Sequence, residues 1–314
     1  MSAQQPLVSV IMCTRDRPRL VGRAIQSILK QTYENFELVI ADGGTNNDTK
    51  QIVRSFDSSK IRYHRIENEI NAASTMNFGL TKCAGKYVAF QDDDDESFPQ
   101  RLEKQVAFFE SLPEECGMIY CWEEFYDDEK SETMRVSRPD LSGYVFPSLV
   151  ERGGQTGGGT QLLIRSSVIK DVGGFDEGLT LGSDYLFYLK ISEKYKIEYQ
   201  PDVLVRTHVN HIYQRTSDLI SSDAYWIRAS VEVTSKILAR YCDYFKRHPA
   251  KAYYHLEHLM ISNAKLRDLG KYLLHSVLLF RARPFRCSTV RSLAKGVKCL
   301  ARPISKARTT YRAR

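Results

Sequence analysis

No run of this 314-residue chain approaches the ~20 apolar residues that cross a bilayer. The opening stretch Met1-Ser2-Ala3-Gln4-Gln5-Pro6 has neither a basic nor an apolar segment, so it is not expected to act as a secretory signal. The seven cysteines (Cys13, Cys83, Cys116, Cys121, Cys242, Cys287 and Cys299) include no C-x-x-C pair and match no zinc framework. An odd number of scattered thiols suits a reducing cytosol. The turn after the first apolar run, Cys13-Thr14-Arg15-Asp16-Arg17-Pro18, contains no glycine. That counts against a sugar-nucleotide nucleotidyltransferase, which is expected to carry a glycine-rich phosphate loop there. Residues 271–314 hold no Asp or Glu against twelve Lys or Arg, leaving 33 basic and 38 acidic residues elsewhere, a net of −5. The overall charge of +7 is therefore that of a mildly acidic body with a basic tail, an appendage suited to an anionic surface.

What is present is ordinary globular material: 42% hydrophobic and 26% charged residues, enough for one large domain or two smaller ones. The most informative stretch is Tyr87-Val88-Ala89-Phe90 followed, after Gln91, by Asp92-Asp93-Asp94-Asp95. Four adjacent like charges repel, so a positive partner is expected. At the carboxyl end of a buried strand a divalent cation is the natural candidate, since Mg²⁺ and Mn²⁺ take oxygen ligands and share them with phosphates. The bland alternative is a solvated acidic turn.

The first half alternates strand and helix signals. Strands are expected at Leu7–Met12, Phe36–Ala41, Ile61–Ile66 and Tyr87–Phe90, with helices from Leu20 to Leu29, over 48–56 and over 71–84. This order argues a parallel sheet with right-handed crossovers. Further on, a helix is expected from Arg101 to Leu112, a strand over Met118–Trp122, a polar loop over 127–140, a strand over Gln161–Arg165, a helix from Tyr185 to Tyr195 and a short strand at Ile197–Tyr199. From about residue 220 only helical signals remain, which predicts a sheet domain over 1–219 and a helical, basic extension over 220–314. In that extension Val290, Leu293, Val297 and Leu300 form an apolar stripe beside Arg291, Lys295, Lys298 and Arg302.

Taken together, these residues resemble the family 2 glycosyltransferases over about residues 7 to 215. The resemblance rests on motifs falling in the family's order: Val8-Ser9-Val10-Ile11-Met12-Cys13-Thr14-Arg15-Asp16-Arg17-Pro18, Glu37-Leu38-Val39-Ile40-Ala41-Asp42-Gly43-Gly44-Thr45, Asn77-Phe78-Gly79-Leu80, the strand ending in Asp92–Asp95, Val172-Gly173-Gly174-Phe175-Asp176-Glu177, and Gly182-Ser183-Asp184-Tyr185. Three positions depart from it. Gly43 stands where the family often has a second acid or amide, Met76 where it often has Arg, and Ser183 where it often has Glu.

The resemblance implies an α/β, GT-A fold: a Rossmann-like, mostly parallel central sheet flanked by helices, here with a C-terminal helical extension. It also implies inverting transfer from a nucleotide-diphosphate sugar. The family's D-x-D pair maps onto Asp92, near the ribose, and Asp94, on Mn²⁺ or Mg²⁺, with Asp93 and Asp95 able to substitute in this register. Thr14, Asp16, Asp42, Asn77, Asp92 and Asp93 are the expected donor contacts, Arg15 or Arg17 could meet phosphate, and His208 is a further metal or phosphate candidate. Asp184 is the expected general base, with an N-cap role as the bland alternative. The expected partners are a UDP-, GDP- or dTDP-sugar and a glycan or lipid-linked acceptor. An anionic membrane surface is expected to meet the tail, placing the protein in the cytoplasm on the inner face of the cell membrane. No nucleic-acid partner is expected, because no recognition motif accompanies the charge. No Gln-x-x-Arg-Trp motif occurs, so a processive polymerase is not expected. The reading outside catalysis is a nucleotide- or glycan-binding protein on a degenerate fold of this type.

Overall fold

The computed structural model describes residues 5–67, 69–152, 158–213 and 224–282, with single positions 289, 292, 293, 295 and 297 beyond them. β1 (Val8–Thr14) is the central strand of the first half. Its β-branched residues are buried on both faces, as a parallel strand under helices requires. It pairs in parallel with β2 (Phe36–Asp42) on one side and β4 (Tyr87–Asp92) on the other, and β2 pairs in parallel with β3 (Ile61–Arg65). The register sets Thr14 opposite Asp42 and Cys13 opposite Asp92, so the polar residues that end each apolar run share one edge.

Helices cover the sheet between these strands. α1 (Pro18–Leu29) starts on a proline, whose missing N–H would have had no partner in the first turn, and buries Leu20, Val21, Ala24, Ile25 and Ile28. α2 spans Asp48–Arg54. α3 (Ala72–Lys82) is capped by Asn71, whose side chain accepts from Ser74 N at 3.0 Å while Ser74 Oγ accepts from Asn71 N at 3.1 Å. α4 (Arg101–Glu110) follows the short strand β5 (Glu96–Ser97). The core beneath contains Val10, Met12, Leu38, Ile40, Tyr87, Ala89 and Phe109, each contributing up to about 3 kcal/mol by leaving water.

The second half of the sheet is β6 (Cys116–Asp127), β7 (Glu132–Ser137), β8 (Leu162–Arg165) and β9 (Lys196–Val209), giving the order β3-β2-β1-β4-β8-β6-β9-β5 with β7 on β6. β8 runs antiparallel between β4 and β6, and β6 and β9 are parallel. α5 (Phe146–Arg152), α6 (Ser166–Val172) and α7 (Ser183–Lys194) complete this half.

Two expectations are corrected. The segment 127–140 is not all loop, since β7 forms a hairpin with β6. Asp127 Oδ1 accepts from Glu129 N and Lys130 N to make the turn, but β7 lies exposed and so carries no alternating apolar signal. The short strand at 197–199 is the start of the 14-residue β9. Pro201 interrupts its pattern, and the pairing with β6 shifts register beside it, between Cys121 and Glu123.

After Tyr213 the chain enters a second unit, with which Val150–Gly153 also groups. The boundary expected near residue 220 falls within 214–223, outside the described residues. This unit is helical: Ala224–Arg240, Cys242–Arg247, Tyr253–Lys265 and Leu269–Ala282, with Ile237, Leu259, Met260 and Leu279 buried between them. Of the stripe expected in the tail, Val290 and Leu300 lie outside the described residues. Among the described residues no helix is long and apolar enough to cross a membrane.

Candidate active site

Each strand end at the shared edge holds its polar residue differently. Asp42 is fully buried and engaged by the protein itself: Oδ1 accepts from Gly44 N at 2.7 Å, and Oδ2 accepts from the Tyr63 hydroxyl at 2.6 Å and from Arg65 at 3.3 Å. Asp16, at a positive φ of 53°, accepts from Thr45 N at 2.7 Å. The buried hydroxyl of Thr14 stands beside Asp93 without a well-formed hydrogen bond.

The four aspartates face four environments. Asp92, Asp94 and Asp95 each offer a carboxylate oxygen within 4.8 Å of the others. Asp93 is wholly buried and ion-paired to Arg17 at 2.5 Å. Burial pushes it up to about 7, against the opposing pull of Arg17. Asp95 is tied inward, accepting from the hydroxyls of Thr160 (3.0 Å) and Thr207 (3.4 Å) and from His208 N (3.3 Å). Asp94 Oδ2 meets Arg17 at 3.0 Å and His211 Nε2 at 3.2 Å. Arg17, expected among the phosphate contacts, thus already supplies one positive partner to the acidic run.

The turn itself is braced from below. The Gln91 amide donates to the carbonyls of Asp92 and Asp95, both at 3.0 Å. Arg101, wholly buried, donates to the carbonyls of Phe90 and Leu162 and to Ser97 Oγ. Sequence reasoning missed Arg101. Its only outward signal is a charged residue on the buried face of α4.

The histidines divide the roles. His208, expected as a metal or phosphate contact, has Nδ1 at 2.5 Å from Asp128 and Nε2 at 2.8 Å from Glu96, so both ring nitrogens are engaged away from the aspartate turn. His211, three residues on, reaches that turn. The chain reverses at Asn210 (φ 55°) immediately after β9, and this bend aims His211 at Asp94. A second histidine beyond the strand end was the available signal.

Asp184 lies in the first turn of α7, after Gly182 at φ 73°. It is exposed, and its Oδ1 accepts from Tyr185 N at 2.8 Å. Although the residue is open to solvent, the protein atoms around its carboxyl raise it above the ordinary range, partly offset by that hydrogen bond. One turn later the Tyr188 hydroxyl accepts from Gly159 N at 3.2 Å. Burial pushes this phenol up, and the charges of Asp184 and Asp92 add to the shift, so both carboxylates lie within electrostatic reach of one hydroxyl. Asn77, expected on the donor, is bound to the loop after α6: its Nδ2 donates to Phe175 O and Glu177 Oε1, and its Oδ1 accepts from Phe175 N.

A group of hard carboxylate oxygens fits Mn²⁺ or Mg²⁺, and Asp92, Asp94 and Asp95 are the side chains that could hold it, with the His211 imidazole against Asp94.

Comparison with known proteins agrees with this arrangement. The profile described as "Glycosyl transferase family 2" matches residues 9–173. An uncharacterized glycosyltransferase of Rickettsia prowazekii, RP339, is 30% identical over 226 residues, covering 69% of this chain and 68% of that one. Escherichia coli WfgD, a UDP-Glc:alpha-D-GlcNAc-diphosphoundecaprenol beta-1,3-glucosyltransferase, is 35% identical over 101 residues, 32% of this chain and 40% of that one. Among solved structures, residues 1–349 of S. aureus TarS in complex with UDP-GlcNAc superpose with a TM-score of 0.65 at 16% identity, over 93% of this chain and 89% of that one. A longer TarS structure is covered over only 54% of its length. The mannosyltransferase PcManGT of Pyrobaculum calidifontis, in complex with GDP-Man and Mn²⁺, gives a TM-score of 0.54 at 16% identity, over 95% of this chain and 88% of that one. The strand-end carboxylates, the mostly parallel sheet and these matches lead to one conclusion: the chain belongs to glycosyl transferase family 2 and is a glycosyltransferase of GT-A fold.

Proposed function

We propose that the chain moves a sugar from a nucleoside-diphosphate sugar to an acceptor hydroxyl, with a bound divalent cation and with inversion at the anomeric carbon, in the synthesis of a cell-surface glycan or glycolipid. The observation that carries this reading is the carboxylate group at the end of β4, three oxygens within 4.8 Å, with His211 on Asp94. Asp92, Asp94 and Asp95, with His211 beside Asp94, would hold Mn²⁺ or Mg²⁺, which when bound would offset the charge of the departing diphosphate. Asp92 also lies near the donor ribose, and Thr14 and Asp42 shape the edge on which the nucleoside docks.

Asp184 takes the proton of the acceptor hydroxyl. Its raised pKa suits a base that must hold that proton, and the turn at Gly159, which lies against Asp92 and donates to Tyr188 on the same helix as Asp184, supports this assignment. A base acting opposite the leaving group makes the reaction a single displacement, and hence inverting, by the logic of inverting glycosidases with the acceptor oxygen in place of water.

WfgD by name acts on a diphosphoundecaprenol-linked acceptor, and TarS and PcManGT were solved with UDP-GlcNAc and GDP-Man. These support a UDP- or GDP-sugar donor and a lipid-linked acceptor here. The twelve basic residues of 271–314, and the exposed apolar residues Leu269, Leu273, Leu274, Val277 and Phe280 on the helix Leu269–Ala282, support a peripheral position on the anionic inner face of the cell membrane.

The test is incubation of the protein with a panel of nucleotide sugars and Mn²⁺, measuring released nucleotide and the anomeric configuration of the product. Nucleotide release indifferent to EDTA, or a retained configuration, would overturn the reading.

A further inference from the structure

The carboxylates at the ends of β1 and β2 are not equally available to a ligand. Asp42 is engaged by three donors of the protein and Asp16 by Thr45. Glu69, in the segment between β3 and α3, brings a further carboxylate to the same edge. It packs directly over the Gly43 backbone: a Cβ at position 43 would stand 2.4 Å from Glu69 Cδ, closer than real Cβ atoms come. Gly43 is therefore what admits Glu69. The acid that the resemblance leads one to expect at 43 is replaced by a carboxylate arriving from another segment into the space that side chain would fill.

Its two oxygens are held unequally. Oε1 accepts from the Thr75 hydroxyl at 2.6 Å. Oε2 is buried and faces Arg15 at 2.7 Å, with 7% of the Glu69 side chain exposed against 55% of Arg15. One oxygen is anchored to α3, and the other is paired with a surface arginine, half exposed, that can turn out into solvent. Burial pushes the Cys13 thiol on β1 up, and the nearby charges of Asp92, Asp93 and Glu69 add to it. Glu69 and the aspartate turn thus lie at the same strand end.

We propose that Glu69 is a binding residue for the nucleobase of the donor, taking a ring N–H on Oε2 when Arg15 turns away. This rests on the nucleotide-sugar reading above and sharpens it. A carboxylate can only accept. Uracil, thymine and guanine present a ring N–H donor, whereas cytosine and adenine present a lone pair at the equivalent nitrogen and are repelled. The donor class is then UDP-, dTDP- or GDP-sugars, with CDP- and ADP-linked sugars rejected.

The experiment measures binding of UDP, GDP, CDP and inorganic pyrophosphate, each with Mn²⁺, by calorimetry on the full chain. Glu69→Gln and Glu69→Ala are expected to weaken the better of UDP and GDP by about 10- to 100-fold, the worth of a hydrogen bond to a charged group. Both are expected to narrow the gap to CDP and leave pyrophosphate unchanged. Gly43→Asp alone is expected to disrupt the edge, and Gly43→Asp combined with Glu69→Ala to recover most of the lost affinity. Glu69→Gln, nearly isosteric, reads the effect should Glu69→Ala fail to fold. Unchanged UDP and GDP affinity in both Glu69 variants would overturn the proposal and leave the transferase reading standing, as would equal loss of pyrophosphate, which marks a purely structural role. A wild-type protein that binds neither UDP nor GDP would instead overturn the transferase reading itself.

Discussion

Gly159 lies against the carboxylate of Asp92: a Cβ at 159 would stand 2.6 Å from Asp92 Oδ2, and the residue sits at φ +49°. Its neighbours continue the contact. Thr160 Oγ1 accepts from Asp92 N and donates to Asp95, both at 3.0 Å, while Gly159 N donates to Tyr188. One short turn before β8 thus sets the aspartate turn and touches the helix that carries Asp184.

Gly159→Ala should therefore injure catalysis more than folding. The backbone strain is about 1 kcal/mol, a shift of only a few degrees in Tm. Displacement of Asp92 should lower kcat/KM by roughly tenfold or more. Thermal melts and donor-dependent rates on one preparation check this, and an active Gly159→Ala would remove Asp92 from the donor site.

Asp184→Asn should reduce kcat by about 10²- to 10⁴-fold while metal-dependent nucleotide binding stays near wild type. The base must be ionised to accept a proton, so the wild-type rate rises with pH through the Asp184 pKa. Crowding by protein raises that pKa above the ordinary 3.8, so the acid limb should lie at higher pH than for a free aspartate. It should vanish from the residual activity of the variant. A variant that keeps its transfer rate refutes the assignment.

The two histidines should separate cleanly. His211→Ala is expected to weaken Mn²⁺ binding, measured by titration in the presence of UDP, by about tenfold, one ligand's share of the site. His208→Ala removes the imidazole from Asp128, which keeps Arg23, and from Glu96, and should cost about 1–3 kcal/mol in urea denaturation, with little change in metal affinity. The reverse pattern would return the metal role to His208.

Arg101→Met should destabilise the protein by about 3 kcal/mol, because the carbonyls of Phe90 and Leu162 lose their buried donor. Denaturation measures the loss. A variant as stable as wild type would mean that the turn does not depend on this brace.

Removing residues 285–314 should release the protein from anionic vesicles in a sedimentation assay, and added salt should do the same to the intact chain. Vesicle binding unchanged by either treatment would refute the anchoring role of the tail.

Much of the site was legible because its strands are buried on both faces. Val8–Thr14 and Tyr87–Asp92 read as apolar runs that stop abruptly at polar residues, and such stops in a parallel sheet fall on one edge. β7 was not legible, because an exposed hairpin strand needs no apolar alternation. Nor was the contact of His211 with Asp94, because the direction of a side chain leaving a strand depends on the bend at Asn210.

The sequence by itself determined the class of chemistry. Carboxylates at the end of an apolar run, and an acid at the start of a later helix, are local patterns that survive without coordinates. Only the tertiary structure decided which carboxylate does what. Asp93 is ion-paired to Arg17, Asp95 is tied to Thr160 and Thr207, Asp94 meets His211, and Glu69 fills the space over Gly43. Those partners are 26 to 117 positions apart in the chain. A charge's role follows from its surroundings, and here folding supplies them.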